Sequence, residues 1–291
     1  MRAALLASYH SPLELTELPE PQPERAGDVV VRVGGAGVCA TDLHSIDGWM
    51  EEAGVRPPRV LGHENAGWVE AVGEGVSSVR VGDPVVVYPA YSCGLCLPCR
   101  RGDDMRCVNG RFTGLSADGG FAEHLLTTER SLVKLAPGID PADVAPHADA
   151  GITAYHAVRK VCHLARPGSV SVVIGIGGLG HIGLQLLREL GSGTVVAIDA
   201  DSLAALARGG TYSVVGYGGT LSAPSISLVA NEQSVVANLV GTWPDLYELL
   251  ELHSAGKVVL RTERHHLEEV NDVLEMLRRG EVFGRAVLVP G

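Results

Sequence analysis

The stretch from Val170 to Asp199 constrains the fold more than any other part of the chain. Val170–Ile174 is a continuous apolar run. Gly175-Ile176-Gly177-Gly178-Leu179-Gly180 breaks it, Gly178–Leu190 has helical spacing, and Thr194–Ile198 is a second apolar run that ends at Asp199. A strand, a glycine turn, a helix and a second strand predict a βαβ unit. Its strands must run parallel, because the helix carries the chain back along the sheet.

The glycine spacing is G-x-G-x-x-G, and alone it would be weak. Its placement between strand and helix, with an acid 19 positions after Gly180, makes it a dinucleotide-binding fingerprint. Gly175 makes the tight turn, Gly177 lets backbone approach a pyrophosphate, and Gly180 lets helix and strand pack. Gly178 and Leu179 complete the turn, and the helix N-terminus supplies N–H donors to phosphate. Asp199 is placed for the adenosine ribose hydroxyls. Its charge would repel a 2′-phosphate, so NAD is expected rather than NADP.

Upstream, the first 140 or so residues read as β-rich. Val29–Val33, Gly67–Val72, Pro84–Tyr88 and Phe121–Leu126 are Val-rich or apolar runs broken by Gly, Pro and Asp. Helices are expected over Ala148–Leu164, Ala200–Arg208, Pro244–Leu252 and His266–Arg279, and further strands over Tyr212–Val215 and Val235–Val240. Apolar types make up 46% of the 291 residues, enough for a large core in one or two domains. The net charge of −11 argues against nucleic-acid partners and anionic membranes. The first residues show neither a long h-region nor a small-residue cleavage site, and no apolar run reaches about 18 residues, so a cytoplasmic protein is expected.

Four of the six cysteines fall in Cys93-x2-Cys96-x2-Cys99-x7-Cys107. Four thiolates at such spacings can surround one Zn²⁺ and leave no open position, which marks a structural site. Two disulfides or an iron–sulfur ligand set are the alternatives. Cys162, on the Ala148–Leu164 helix, reads as a buried filler.

Cys39 in Gly37-Val38-Cys39-Ala40-Thr41-Asp42 and His63 in Gly62-His63-Glu64 are each weak signals alone. The longer pattern from Gly62-His63-Glu64 through Gly67, Gly73, Gly75 and Gly82-Asp83 resembles the signature of the zinc-dependent medium-chain alcohol dehydrogenases. The four-cysteine loop and Asp149-Ala150-Gly151-Ile152-Thr153-Ala154-Tyr155 extend that resemblance over nearly the whole chain. It implies an α/β protein: a GroES-like β-barrel catalytic domain (1–147 and 254–291) and a Rossmann domain (148–253). It implies a catalytic zinc on Cys39, His63 and Asp149, two zincs per chain, and Glu64 either just behind the ligands or as a resting-state ligand that steps in when water leaves. Such a ligand set balances the metal charge and leaves one corner open for an alcohol oxygen. Thr41 and His44 take the positions of a proton relay to solvent, and Thr153 and Arg285 lie at positions beside the nicotinamide and the pyrophosphate. His147 reads as structural. Trp49, Phe112 and Trp243 are candidates for the cleft, with ordinary packing as the alternative.

The chain departs from the family after Asp199. A glycine-rich segment, Gly209-Gly210-Thr211-Tyr212-Ser213-Val214-Val215-Gly216, arrives two βα units early, so the third and fourth strands of a six-strand sheet are missing. Movement of the Tyr212–Val215 strand into the vacancy would protect the edge left behind. The expected activity is NAD-linked, reversible oxidation of a primary or secondary alcohol in a homodimer or homotetramer. The alternatives are a polyol dehydrogenase and a zinc-binding remnant that no longer holds NAD.

Overall fold

The computed structural model describes residues 1–198, 206–217 and 220–291. The largest sheet has seven strands. Its order is Leu132–Lys134, Pro84–Val87, Glu64–Val72, Asp28–Gly37, Arg285–Val289 and Thr262–His266, with His124–Thr128 also pairing on Asp28–Gly37. A three-strand sheet of Glu14–Glu17, Arg2–Leu6 and Arg59–Val60 packs with it. Asp28–Gly37 is the axis of this half. Nine of its ten residues are buried, because Val29 and Val31 face one core while the Gly34–Gly37 end lets helices approach closely. Leu6, Val29, Val31, Leu61, Val85, Phe121 and Leu288 fill the space between the sheets. Each such aliphatic or aromatic side chain contributes about 1.5–3 kcal/mol of burial.

The C-terminal strands complete this half. Arg285–Val289 pairs antiparallel with Asp28–Gly37 through Val287↔Gly37 and Leu288↔Ala36, and Thr262–His266 pairs parallel with Arg285–Val289. Two expected boundaries move. The strand expected over Phe121–Leu126 lies at His124–Thr128; Phe121 and Ala122 instead bond to Leu61, Ala4 and Ala3 as a bridge between sheets. The helix expected from His266 begins at Val270 after a 3-10 turn over Leu267–Glu269, because His266 ends a strand and its N–H is capped by Glu269.

The βαβ unit forms as read from the sequence. Val170–Ile174 and Thr194–Ile198 pair in parallel register, Val170↔Thr194 to Ile174↔Ile198, and helix Gly180–Leu190 connects them. Ile182 and Leu186 on that helix pack against Ala150 and Ala154 of helix Ala150–Val161 and Leu249 of helix Trp243–Ser254. This packing seats the glycine turn against the first half of the chain.

The strand Thr211–Val214 does not fill the vacancy. It pairs in parallel with Ser234–Ala237, and the two pairs remain separate two-strand sheets. The consequence is visible in exposure: Val170, Val172, Ile174, Val196 and Ile198 all face solvent, where a parallel sheet is ordinarily covered on both faces. Among the described residues no strand hydrogen-bonds the two pairs together. The expected helix Ala200–Arg208 and Asp199 lie outside the described residues, apart from 206–208. Among the described residues no helix is long and apolar enough to cross a membrane.

Candidate active site and metal centres

Strand register brings the first site together. Gly37 pairs with Glu64 across neighbouring antiparallel strands, so the residues just beyond each end, Cys39 and His63, leave the sheet at the same edge. Cys39 is the N-cap of helix Ala40–Ile46. Asp149 is the N-cap of helix Ala150–Val161, which follows the 3-10 turn Ala145–Ala148. One ligand atom each from Cys39, His63, Glu64 and Asp149 lies within 4.8 Å of the others. Only a residue without a side chain fits opposite Glu64: a Cβ on Gly37 would stand 2.0 Å from its Oε2.

The donor set fits a divalent cation. His63 is fully enclosed, yet neither ring nitrogen has a hydrogen-bond partner among the described residues. Buried polar atoms are rarely left so. Nε2 faces Asp149 Oδ2 at 3.5 Å and Nδ1 faces Asp42 Oδ1 at 3.4 Å. Burial opposes charging of His63, but Asp42, Asp149 and Cys39 together hold its pKa well above the ordinary imidazole value. The pocket is therefore negative enough to gather a proton when no cation is present. Thiolate, imidazole and carboxylate are the ligand types that zinc takes in a site with an open corner. Asp42, which faces the Nδ1 side of His63 while Asp149 faces the Nε2 side, is a neighbour the sequence pattern did not single out. Its signal was the spacing: Asp42 is three residues past the N-cap and accepts the Cys39 N–H at 2.9 Å.

Glu64 is fully buried and tied to two elements. Its Oε1 accepts the Ala150 N–H at 3.0 Å, and its Oε2 is paired with the buried Arg285 guanidinium. Burial raises the Glu64 pKa against the opposing charge of Arg285, while Arg285 itself is held above its ordinary value, Glu64 overcoming the cost of burial. The Arg285 guanidinium also lies against Gly178, where a Cβ would come within 2.6 Å of Nη1. Arg285 thus joins the metal-site edge to the glycine turn. Thr153, buried, donates towards Asp149 Oδ1 at 3.5 Å.

In the glycine turn Gly175 has φ +78°, and a Cβ on Gly180 would meet the Gly175 carbonyl oxygen at 1.8 Å. Gly177 has open space about it, and Leu179 is the N-cap of helix Gly180–Leu190. The turn is thus open on the side a phosphate would approach.

Thr41 lies 3.7 Å from the Cys39 sulfur and shares a 2.5 Å hydrogen bond with Tyr217, which no local pattern in the sequence singled out. His44 is stacked on Trp49, ring centres 4.9 Å apart, and tilted against Tyr217 at 5.2 Å. Phe112 stands 6.3 Å from the His63 ring. Trp243 begins helix Trp243–Ser254, donates to the Leu132 carbonyl and packs in a core cluster. Cys162, expected buried, is half-buried because helix Ala150–Val161 ends before it. His147 is buried against His253, Nε2 to Nδ1 3.1 Å, and burial pushes its pKa well down.

In the second cluster all four thiols are free and converge. The Cys96 sulfur is 3.3 Å from that of Cys99 and 3.9 Å from that of Cys107. Tetrahedral zinc with bonds of about 2.3 Å sets sulfurs about 3.8 Å apart. Backbone N–H groups of Leu95 and Cys96 bring the Cys93 pKa down to about 6, whereas burial pushes Cys99 up to about 12. Arg130 braces the lobe, donating to Asp104 at 2.7 Å and Ser92 at 2.8 Å.

Residues 25–137 match the alcohol dehydrogenase GroES-like domain. Over 342 aligned residues the chain is 34% identical to an alcohol dehydrogenase of Geobacillus stearothermophilus, covering 99% of this chain and 98% of the relative. The chain belongs to the alcohol dehydrogenase family. A family member from Sulfurisphaera tokodaii, a NAD-dependent alcohol dehydrogenase, is 30% identical with full coverage of both chains. The crystal structure of the alcohol dehydrogenase from Aeropyrum pernix superposes with a TM-score of 0.91 at 41% identity, covering both chains fully. This member of the alcohol dehydrogenase family is shorter than those relatives. The Geobacillus alignment spans 342 residues against 291 here, which agrees with a loss of about two βα units.

Proposed function

We propose that this chain is a zinc-dependent, NAD-linked alcohol dehydrogenase that oxidises a primary or secondary alcohol and runs in reverse on the carbonyl product. The observation that carries the reading is the convergence of Cys39, His63 and Asp149 on one point, with His63 buried and its nitrogens unpartnered. Cys39, His63 and Asp149 would hold the catalytic zinc, and Cys93, Cys96, Cys99 and Cys107 a structural one. When bound, the zinc supplies Lewis acidity to the substrate oxygen and NAD accepts the hydride.

The chain's own residues do the rest. Asp42 faces His63 Nδ1, and Arg285 pairs with Glu64, whose carboxylate lies beside the ligand cluster. Thr41, beside Cys39, is placed to take the alcohol proton, and His44 to pass it outward. Gly175, Gly177, Gly178, Leu179 and Gly180 would cradle the pyrophosphate, with Thr153 at the nicotinamide and Arg285 reaching the turn. Asp199 would bind the ribose. In this reading residues 1–147 and 254–291 form the catalytic domain and 148–253 the nucleotide domain.

One observation favours a second reading, a zinc protein that no longer binds NAD: the nucleotide sheet is split into two pairs. Zinc analysis, NADH fluorescence and alcohol-dependent NADH formation separate the two. The enzyme reading expects two zincs per chain, enhanced NADH emission on binding, and turnover. Two zincs without NADH binding would refute it.

A further inference from the structure

We propose that Tyr217 is a positioning residue for this reaction, acting through Thr41. This role rests on the reading of Thr41 as proton acceptor given above. Tyr217 follows strand Thr211–Val214 on the nucleotide side, yet its hydroxyl reaches Thr41 at the head of helix Ala40–Ile46, 2.5 Å away and 176 residues distant in sequence. Its ring lies 5.2 Å from that of His44, which is also stacked on Trp49. The side chain is largely exposed, while its hydroxyl turns inward to Thr41 and serves as a neutral donor and acceptor.

Thr41 has one proton and two acceptor sites. Its neighbours are the Cys39 sulfur at 3.7 Å on one side and the Tyr217 oxygen on the other. With Tyr217 accepting the Thr41 proton, the Thr41 lone pairs turn towards the ligand cluster, the orientation needed to receive a proton from an alcohol. Without it, the proton turns to the sulfur and the lone pairs turn away. The same tyrosine covers His44. One side chain from the nucleotide half therefore sets the orientation of one relay group and shields the other.

The test compares Tyr217→Phe with Tyr217→Ala in the zinc-loaded enzyme. Tyr217→Phe keeps the ring and loses the hydroxyl. It should lower kcat for alcohol oxidation about tenfold, the effect of one neutral hydrogen bond, with KM unchanged and a larger solvent deuterium isotope effect on kcat. A second readout needs no cofactor: the NMR resonance of the His44 imidazole, assigned with His44→Asn. It should stay in place in Tyr217→Phe and shift in Tyr217→Ala, which removes the ring current. Wild-type kcat in Tyr217→Phe, or an unshifted His44 resonance in Tyr217→Ala, would overturn the role while leaving the dehydrogenase reading intact. A wild-type protein that makes no NADH overturns both.

Discussion

Replacing Arg285 with methionine removes one half of a buried ion pair. Arg285 and Glu64 are almost entirely enclosed and paired directly. Removing one partner of such a pair costs about 3–5 kcal/mol, because the other charge is left buried. Here the cost should fall near the lower end, about 3 kcal/mol, since Glu64 keeps the Ala150 N–H. Glu64→Gln should be costly too, as it strands the guanidinium. The double variant leaves no uncompensated charge and should recover at least half of the summed loss. Urea unfolding of the zinc-loaded protein at pH 7, run as a double-mutant cycle, measures the coupling. A loss under about 1 kcal/mol in Arg285→Met, or purely additive singles, would refute the claim that charge pairing joins these elements.

Further outcomes follow from other contacts. Gly180→Ala places a Cβ 1.8 Å from the Gly175 oxygen. It should cost about 1–3 kcal/mol and abolish NADH fluorescence enhancement while both zincs stay bound; retained NADH binding would refute the tight-turn role. Asp245 caps helix Trp243–Ser254 and accepts from His156 at 2.8 Å, Arg159 at 2.7 Å and Thr242. Burial works against its charge, but these donors hold its pKa below the ordinary value. Its contribution should be complete above about pH 4 and fade as pH falls through the depressed folded value. Asp245→Asn should therefore cost about 2 kcal/mol at pH 7, and the gap to wild type should narrow in acid unfolding. Cys99→Ser should reduce zinc by one per chain and open the 93–107 lobe to proteolysis, since metal binding and folding of such a lobe are one equilibrium. Unchanged zinc content would exclude Cys99 as a ligand.

Much of this was legible in the sequence because the signals were local. The Val170–Ile198 unit follows from runs and glycines within one stretch, and the cysteine lobe from spacing alone. Cys39 and His63 were visible only as members of a longer pattern, since the Gly37↔Glu64 register that unites them is a tertiary fact. The strand Thr262–His266 escaped notice because it reads Thr-Glu-Arg-His-His, polar along an exposed sheet edge, and pairs only on one side. Tyr217 gave no signal because its contact with Thr41 crosses between the two halves. The fate of the shortened sheet could not be read either: whether Thr211–Val214 pairs with the first strand or with Ser234–Ala237 depends on crossover geometry rather than on hydrophobic pattern.

The most direct test replaces the zinc with Co²⁺ and records the visible spectrum while an alcohol or a carbonyl analogue is titrated in. Three shared ligands with an open fourth corner predict that, after subtraction of the constant four-cysteine contribution, the remaining thiolate–cobalt charge-transfer absorption is lost in Cys39→Ser, altered in His63→Ala and Asp149→Asn, and shifted by the added ligand. A spectrum indifferent to all three substitutions, or one that no alcohol perturbs, would contradict the account.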